Sequence, residues 1–126
     1  MVKIYLAHTT AINPPSSSPK LTHPQVWAAL QRKIRYAHEF VPVIDSCTVL
    51  SDHDGILERK IIFKPGMGPG GGDTAWERVR CCGTAWVEFE QRDGSASVVR
   101  NIIARGGESG EDLFMTYAFE FEVPGG

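Results

Sequence analysis

One segment of the sequence, from Thr22 to Phe40, has the pattern of a long amphipathic helix. Thr22 and Gln25 have the spacing of a capping box, in which the two side chains accept hydrogen bonds from free N–H groups at a helix start. Pro24 falls in the first turn, where a helix does not need the missing N–H. Pro42 disfavours helical geometry at the preceding residue and so ends the helix. No other segment has helical periodicity, so this helix has to pack against a sheet.

The apolar residues of this segment recur at three- and four-residue steps and predict the face that the helix buries. They are Trp27, Leu30, Ile34, Ala37 and Val41. The charged residues, Arg32 and Lys33 among them, fall mostly on the other side. We therefore expect the side that carries Lys33 to be the polar face of the helix.

Most of the remaining chain alternates apolar and polar residues with the period of a β-strand. The pattern predicts seven strands, at residues 2–11, 43–50, 56–63, 75–82, 84–91, 97–104 and 112–123. Two dipeptides, Asp54-Gly55 and Asp93-Gly94, are typical of tight hairpin turns. The predicted fold class is therefore α+β, helix-grip-like: a curved seven-stranded antiparallel sheet with one long helix inserted after strand 1.

The last predicted strand has the clearest alternation of the chain. One of its faces carries Leu113, Met115, Tyr117, Phe119, Phe121 and Val123. Burying one large apolar side chain is worth about 1.5–3 kcal/mol, and a domain has only about 5–15 kcal/mol of net stability. We therefore expect a second copy of the chain, a swapped element or a bound apolar molecule to cover this face, and predict a homo-oligomer.

Length and charge exclude several classes of protein. The chain has 126 residues, which fits a single domain over residues 1–126, and a formal net charge of −2. Nucleic-acid binders usually carry a basic face, so we expect no nucleic acid as a partner. No apolar run approaches the roughly 20 residues that a membrane helix needs. The start of the chain lacks the pattern of a signal peptide, which predicts a cytoplasmic protein.

Cysteine and histidine spacing gives no sign of a metal centre. The three cysteines, Cys47, Cys81 and Cys82, are odd in number and two are adjacent, which favours free thiols. The four histidines are scattered, and the chain contains neither CxxC nor HExxH. We expect no metal and no cofactor.

Arg59 is the most informative polar residue of the predicted strands. It shares a strand face with Leu57 and Ile61, so it points inward if they do. A buried guanidinium without a partner is too unfavourable to persist, and Glu77 on the inward face of the next strand is the candidate partner. The pair either belongs to a ligand site or is a structural pair that holds the sheet, and the sequence leaves both open.

Asn101 and Tyr117 lie between apolar residues on their strands and would add polar groups to an apolar pocket, the usual pattern of a small-molecule site. The predicted ligand-binding residues are Arg59, Glu77, Asn101, Tyr117, Met115, Phe119, His8 and Trp27. His8 either transfers protons or bonds to a carbonyl at a strand end. The sequence assigns no catalytic residue.

Four segments resemble the AtaL-like family, common in fungi, of the SRPBCC superfamily, which includes the START and birch-pollen-allergen-like proteins. The segments are INPP, LTHPQVWAALQRKIRYAHEFVPVIDSCTVL, RKIIFKPGMGP and EDLFMTYAFEFE. The resemblance implies a hydrophobic cavity between the curved sheet and a long C-terminal helix. In this superfamily such cavities hold lipids, hormones or polyketides, and some members catalyse cyclisation or hydrolysis.

The sequence departs from that family pattern after the last strand, where members continue with a helix that closes the cavity. We therefore expect a domain that is truncated at its C-terminus. Three hypotheses follow. The protein binds a small hydrophobic metabolite, such as a polyketide-type intermediate of fungal secondary metabolism, and orients or cyclises it; or it is a non-catalytic carrier with the same pocket; or it is a shortened form that mainly self-associates.

Overall fold

A computed structural model of the chain describes residues 2–16, 18–68, 72–92 and 97–123. Within these residues the chain forms seven β-strands, one α-helix and one 3-10 turn. The strands are β1 (Val2–Ala11), β2 (Ile44–His53), β3 (Ile56–Phe63), β4 (Thr74–Cys82), β5 (Trp86–Gln91), β6 (Val98–Gly106) and β7 (Asp112–Val123). The helix α1 spans His23–Arg35 and is followed by the 3-10 turn Ala37–Glu39.

The strands form one antiparallel sheet in the order β1-β7-β6-β5-β4-β3-β2. β1 and β2 therefore lie at opposite edges, and α1 carries the chain across one face of the sheet between them. From β2 the chain returns strand by strand until β7 pairs with β1 along its whole length. The predicted fold class is confirmed: a seven-stranded antiparallel sheet with one helix after the first strand.

The start of α1 has the capping box that the sequence predicts. Thr22 N donates to Gln25 Oε1 at 2.8 Å, and Gln25 N donates to Thr22 Oγ1 at 3.4 Å. Just before it, the Asn13 side chain forms two 2.8 Å hydrogen bonds with the backbone of Leu21, which closes the Pro/Ser-rich connection from β1. Local sequence is sufficient to begin the helix.

The prediction that the helix continues to Phe40 was wrong, because α1 ends at Arg35. In a longer helix the carbonyls of Lys33 and Ile34 would accept hydrogen bonds from residues four positions later. Here both accept from Arg59 Nη1 on β3, at 3.2 and 2.7 Å. A buried cation thus satisfies the last carbonyls of α1 and ends the helix from outside its own sequence.

The buried face of α1 is rotated from the predicted one. Val26, Leu30 and Ile34 are buried, whereas Trp27 is only half-buried beside the core. As a consequence Lys33, which lies seven residues after Val26, points toward the sheet, and its Nζ donates to Asn101 Oδ1 of β6 at 3.0 Å. The placement of Lys33 on the polar face was therefore wrong.

Several strand bounds match the prediction: β1, β3 and β7 begin and end where the alternation does. Asp54 and Gly55 join β2 to β3 with φ values of 53° and 76°, the left-handed pair that a tight hairpin requires. The predicted turn at Asp93-Gly94 lies outside the described residues.

Candidate functional site

A groove of about 230 Å³ runs between α1 and β7. One wall is the helix, the other is the sheet, and the segment after α1 closes one end. The groove is lined by Val26, Ala29, Leu30, Lys33, Phe40, Val41, Met115 and Tyr117. Six of these eight side chains are hydrocarbon or thioether, so the groove is an apolar surface with an ammonium and a phenol in it.

Lys33 is the charged residue of this groove. Besides its hydrogen bond to Asn101, its Nζ lies 5.7 Å from the ring centre of Tyr117 and 6.0 Å from that of Phe89, distances at which a cation is attracted to an aromatic ring. Burial, and to a lesser degree the positive charge of Arg59, lower the pKa of Lys33 from its ordinary value of 10.5, while Glu77 partly opposes the shift.

Arg59 and Glu77 form the predicted ion pair behind the end of α1. Glu77 Oε1 accepts a hydrogen bond from Arg59 Nε at 2.8 Å and lies 2.6 Å from Nη2 in the ion pair. The second carboxylate oxygen, Oε2, accepts from Gln91 Nε2 at 2.6 Å. Arg59 is 5% exposed, and its guanidinium carbon lies 4.8 Å from the centre of the Phe89 ring.

Nε of Arg59 is bonded to Glu77, Nη1 is bonded to two carbonyls of α1, and Nη2 lies in the ion pair with Glu77. Among the residues that the structure describes, Arg78 Nε is the one buried side-chain nitrogen or oxygen without a partner, and Arg78 lies next to Glu77 on β4 but on the opposite face of the sheet. The Arg59–Glu77–Gln91 cluster fastens the helix end to β3 and β4.

The remaining predicted residues fall in three places. Met115 and Tyr117 line the groove, and Asn101 lies at its base under Lys33. Phe119 is the next residue on the same face of β7 and stacks on Phe121 at 5.7 Å, whereas His8 lies opposite Tyr117 in the β1–β7 register and is exposed. The structure thus brings His8 and Phe119 to the margin of the groove.

Trp27 lies apart from this groove. It lines a second groove of about 490 Å³ on the other side of the helix, together with His23, Pro24, Ala28, Gln31 and Thr84. His23 Nε2 and the carbonyl of Thr84 are 2.7 Å apart, so the helix start is tied to the β4–β5 turn there. The structure therefore places Trp27 with a different surface from Met115 and Tyr117.

Sequence reasoning missed two polar residues, Lys33 and Gln91. The signal for Lys33 was its spacing from Val26 and Leu30, which places the three on one helical face. Gln91 has the same strand parity as Val87 and Phe89, both buried. In each case the residue type favours exposure to solvent, whereas the position of the residue in the periodic pattern indicates a buried face.

The structure contains no candidate metal centre in the residues it describes, where no three His, Cys, Asp or Glu side chains are grouped as ligands. Over the same described ranges, none of the helices has the length and apolar character needed to cross a membrane.

Solved structures with the same fold include aromatase/cyclases. The di-domain aromatase/cyclase StfQ from the steffimycin pathway matches with a TM-score of 0.71 and 8% identity, over 97% of this chain and 37% of that chain. The Zhui aromatase/cyclase from a Streptomyces species matches with a TM-score of 0.69 and 14% identity, over 99% of this chain and 71% of that chain.

A third match, DR_A0006 from Deinococcus radiodurans, has a TM-score of 0.57 and 11% identity, over 96% of this chain and 84% of that chain. The present chain spans little more than a third of the di-domain enzyme StfQ. At these identities the matches show a shared helix-grip fold.

Sequence comparison identifies the family directly. None of the curated proteins matches the chain significantly. The family described as acetylaranotin biosynthesis cluster protein L, or AtaL, matches residues 6–126. That range contains every described element except the first residues of β1. The protein therefore belongs to the AtaL family.

Proposed function

We propose that the protein binds a small hydrophobic metabolite, of the polyketide-intermediate type, in the groove between α1 and β7. The observation that carries the proposal is the groove itself: an apolar surface with two polar groups in its lining, Lys33 and Tyr117, and with Asn101 buried beneath Lys33. Apolar pockets with few, well-placed polar groups are typical of small-molecule sites. The family description and the aromatase/cyclase fold support a metabolite of this class.

The size of the groove bears on how the ligand would lie. A volume of about 230 Å³ is below the roughly 300–1,000 Å³ of common ligand pockets. A larger ligand would extend from the groove across the neighbouring face of β7 and β1, where Phe119 is half-buried and Leu6 and His8 are exposed. This gives Phe119 and His8 a ligand-contacting role at the margin.

The polar residues divide into two roles under this proposal. Arg59 and Glu77 hold the end of α1, because their hydrogen-bonding atoms are already engaged by the protein. Lys33 and Tyr117 line the groove and are available to orient a ligand, whereas Asn101 is buried beneath Lys33 and holds its ammonium in place. Orientation alone accelerates an intramolecular cyclisation when it holds the reacting atoms together, whereas the same site without such alignment makes a carrier.

The binding site is tested by blocking the groove with a single side chain. Ala29 lines the groove, whereas its neighbour Ala28 lines the second groove on the other side of α1. We expect Ala29→Phe to weaken binding of phenylnaphthylamine, a neutral apolar fluorescent probe, at least tenfold. The matched control, Ala28→Phe, adds the same ring to the same helix and is expected to leave the affinity within twofold of the wild type.

The two variants also distinguish the two grooves. If Ala28→Phe abolishes binding and Ala29→Phe does not, the ligand site is the groove beside Trp27 and the proposal is wrong. Absence of any probe binding to the wild-type protein would contradict it as well. Conversion of a linear polyketide by the purified protein would then separate a cyclising enzyme from a carrier.

A second candidate function, self-association, is favoured by the exposed strand β1. Its residues, including Ile4 and Leu6, are exposed although they continue the apolar face of β7. Contiguous exposed apolar surface is typical of protein interfaces. Analytical ultracentrifugation is expected to show a dimer or larger species that Leu6→Glu converts to monomer, and a monomeric wild-type protein would exclude this candidate.

A further inference from the structure

Two buried or half-buried cations face one carboxylate at the base of the groove. Lys33 of α1 and Arg59 of β3 both lie over the ring of Phe89, and Glu77 of β4 is their acidic neighbour. Glu77 is bonded to Arg59 and Gln91, so its charge is matched by Arg59. The ammonium of Lys33 is left as an excess positive charge beside an apolar groove.

Lys33 also has hydrogen-bonding capacity to spare. An ammonium has three N–H donors. Over the described residues, Asn101 Oδ1 is the one acceptor within bonding distance of Lys33 Nζ, and the side chain lines the groove. Two donors are therefore available to a molecule in the groove, whereas Nε and Nη1 of Arg59 are already bonded to the protein and Nη2 lies in the ion pair with Glu77.

The groups that face Lys33 compensate its charge only in part. From β3 it meets Arg59, which is positive; from β4 Glu77, already paired; and from β7 the phenol Tyr117. On β1, His8 lies opposite Tyr117 in the register and is exposed. The lowered pKa of Lys33 is consistent with this, since burial first, and the charge of Arg59 second, disfavour the charged form. An anionic oxygen in the groove would restore the balance.

We propose that Lys33 is the specificity-determining residue of the groove and selects apolar ligands that carry an anionic oxygen, such as a carboxylate, enolate or phenolate. This inference rests on the proposed function and narrows it to a class of ligand. The oxygen accepts hydrogen bonds from the ammonium, while the apolar part of the ligand lies along α1 and β7.

Two probes with the same skeleton test the preference. Phenylnaphthylamine is neutral, and anilinonaphthalenesulfonate adds one permanently ionised sulfonate. Hydrogen bonds to charged groups are worth enough to change affinity by about tenfold or more. We expect Lys33→Met to weaken sulfonate binding by about tenfold while phenylnaphthylamine affinity changes less than twofold, which also shows that the variant is folded.

The control variants separate Lys33 from positive charge in general. Lys60 lies on β3 opposite Trp76, on the other face of the sheet, and Lys60→Met is expected to leave both affinities unchanged. Lys33→Arg keeps the charge and is expected to keep the preference for the sulfonate. Its guanidinium stays charged in alkaline solution, so its sulfonate affinity should persist at pH values where the wild-type affinity falls, below 10.5.

Failure of the inference about Lys33 and failure of the proposed function give different results in these experiments. If phenylnaphthylamine binds the groove, and Lys33→Met leaves sulfonate affinity unchanged or Lys60→Met lowers it equally, the inference about Lys33 is wrong and the proposed function stands. If neither probe binds the wild-type protein, the proposed function falls and this inference falls with it.

Discussion

Leu57 on β3 and Leu6 on β1 lie in the same row of residues across the sheet but differ in burial. The register runs from Leu57 through Val79, Phe89, Val99 and Phe119 to Leu6. Leu57 is 6% exposed and Leu6 is 56% exposed. The residue type and the sheet face are the same, so the difference comes from α1, which packs over one end of the row.

This comparison shows that the alternation of apolar and polar residues defines which side chains share a face of the sheet, but does not determine whether that face is buried. Under α1, even charged residues acquire structural roles: Arg59 pairs with Glu77, and Lys33 reaches Asn101. Beyond α1, His8 and Leu6 stay exposed on the same face of the sheet. The charged residues in the covered half therefore have defined partners in the protein, whereas His8 in the uncovered half is exposed.

The largest effect expected from this comparison comes from Arg59. Arg59→Met leaves Glu77 without its ion-pair partner and removes the guanidinium donor from two helix carbonyls, which should lower the free energy of unfolding by about 3–5 kcal/mol. Arg100→Met is the matched control, because Arg100 pairs with Glu88 across neighbouring strands but is about a quarter exposed. It should cost about 0.2–1 kcal/mol, and urea unfolding of both variants gives the comparison. Equal losses would mean that coverage by α1 does not determine the strength of these pairs.

A second prediction concerns the two leucines of the shared row. Leu57→Ala removes buried methyl groups and should lower the free energy of unfolding by about 2–5 kcal/mol. Leu6→Ala should change it by about 0.5 kcal/mol or less, the usual range for an exposed side chain. Chemical denaturation at low protein concentration measures both. A large loss for Leu6→Ala would show that β1 is covered in solution, which would favour the self-association candidate.

The smallest effect is a pH dependence from Lys33. The pKa of Lys33 in the folded chain is lower than 10.5, its ordinary value. At a pH between the folded and the unfolded pKa of Lys33, the unfolded chain therefore binds more protons than the folded one. Stability therefore rises with pH in that interval and carries the full penalty of the buried charge below it. The free energy of unfolding of the wild type should increase relative to that of Lys33→Met as the pH rises from neutral to 10.5. Denaturant titrations of both proteins at several pH values measure this difference. A constant difference would mean that Lys33 has an ordinary pKa.

Local sequence was sufficient for features that depend on near neighbours. Thr22 and Gln25 are three residues apart, and they begin α1 as predicted. Asp54 and Gly55 adopt the left-handed pair of a tight hairpin. The whole of β7 follows from its alternation, because the period of a strand is written in adjacent residues.

Features set by distant residues could not be predicted in the same way. The end of α1 depends on Arg59, which is 25 residues from Ile34 in the chain. The position of Lys33 depends on which side of α1 meets the sheet, and a rotation by one residue changes the buried set from Trp27 to Val26. The Arg59–Glu77 pair was predictable because strand parity and neighbouring strands suffice to bring the two together, but its bond to the helix carbonyls was not.

The sequence by itself determined the order of the elements, the inward face of each major strand and the family to which the chain belongs, because periodicity, turn dipeptides and short motifs are local properties. The tertiary structure alone decided where α1 ends, which part of the inward face it covers and that Lys33 lies in the groove. Those outcomes depend on contacts between residues far apart in the chain, which no local pattern encodes.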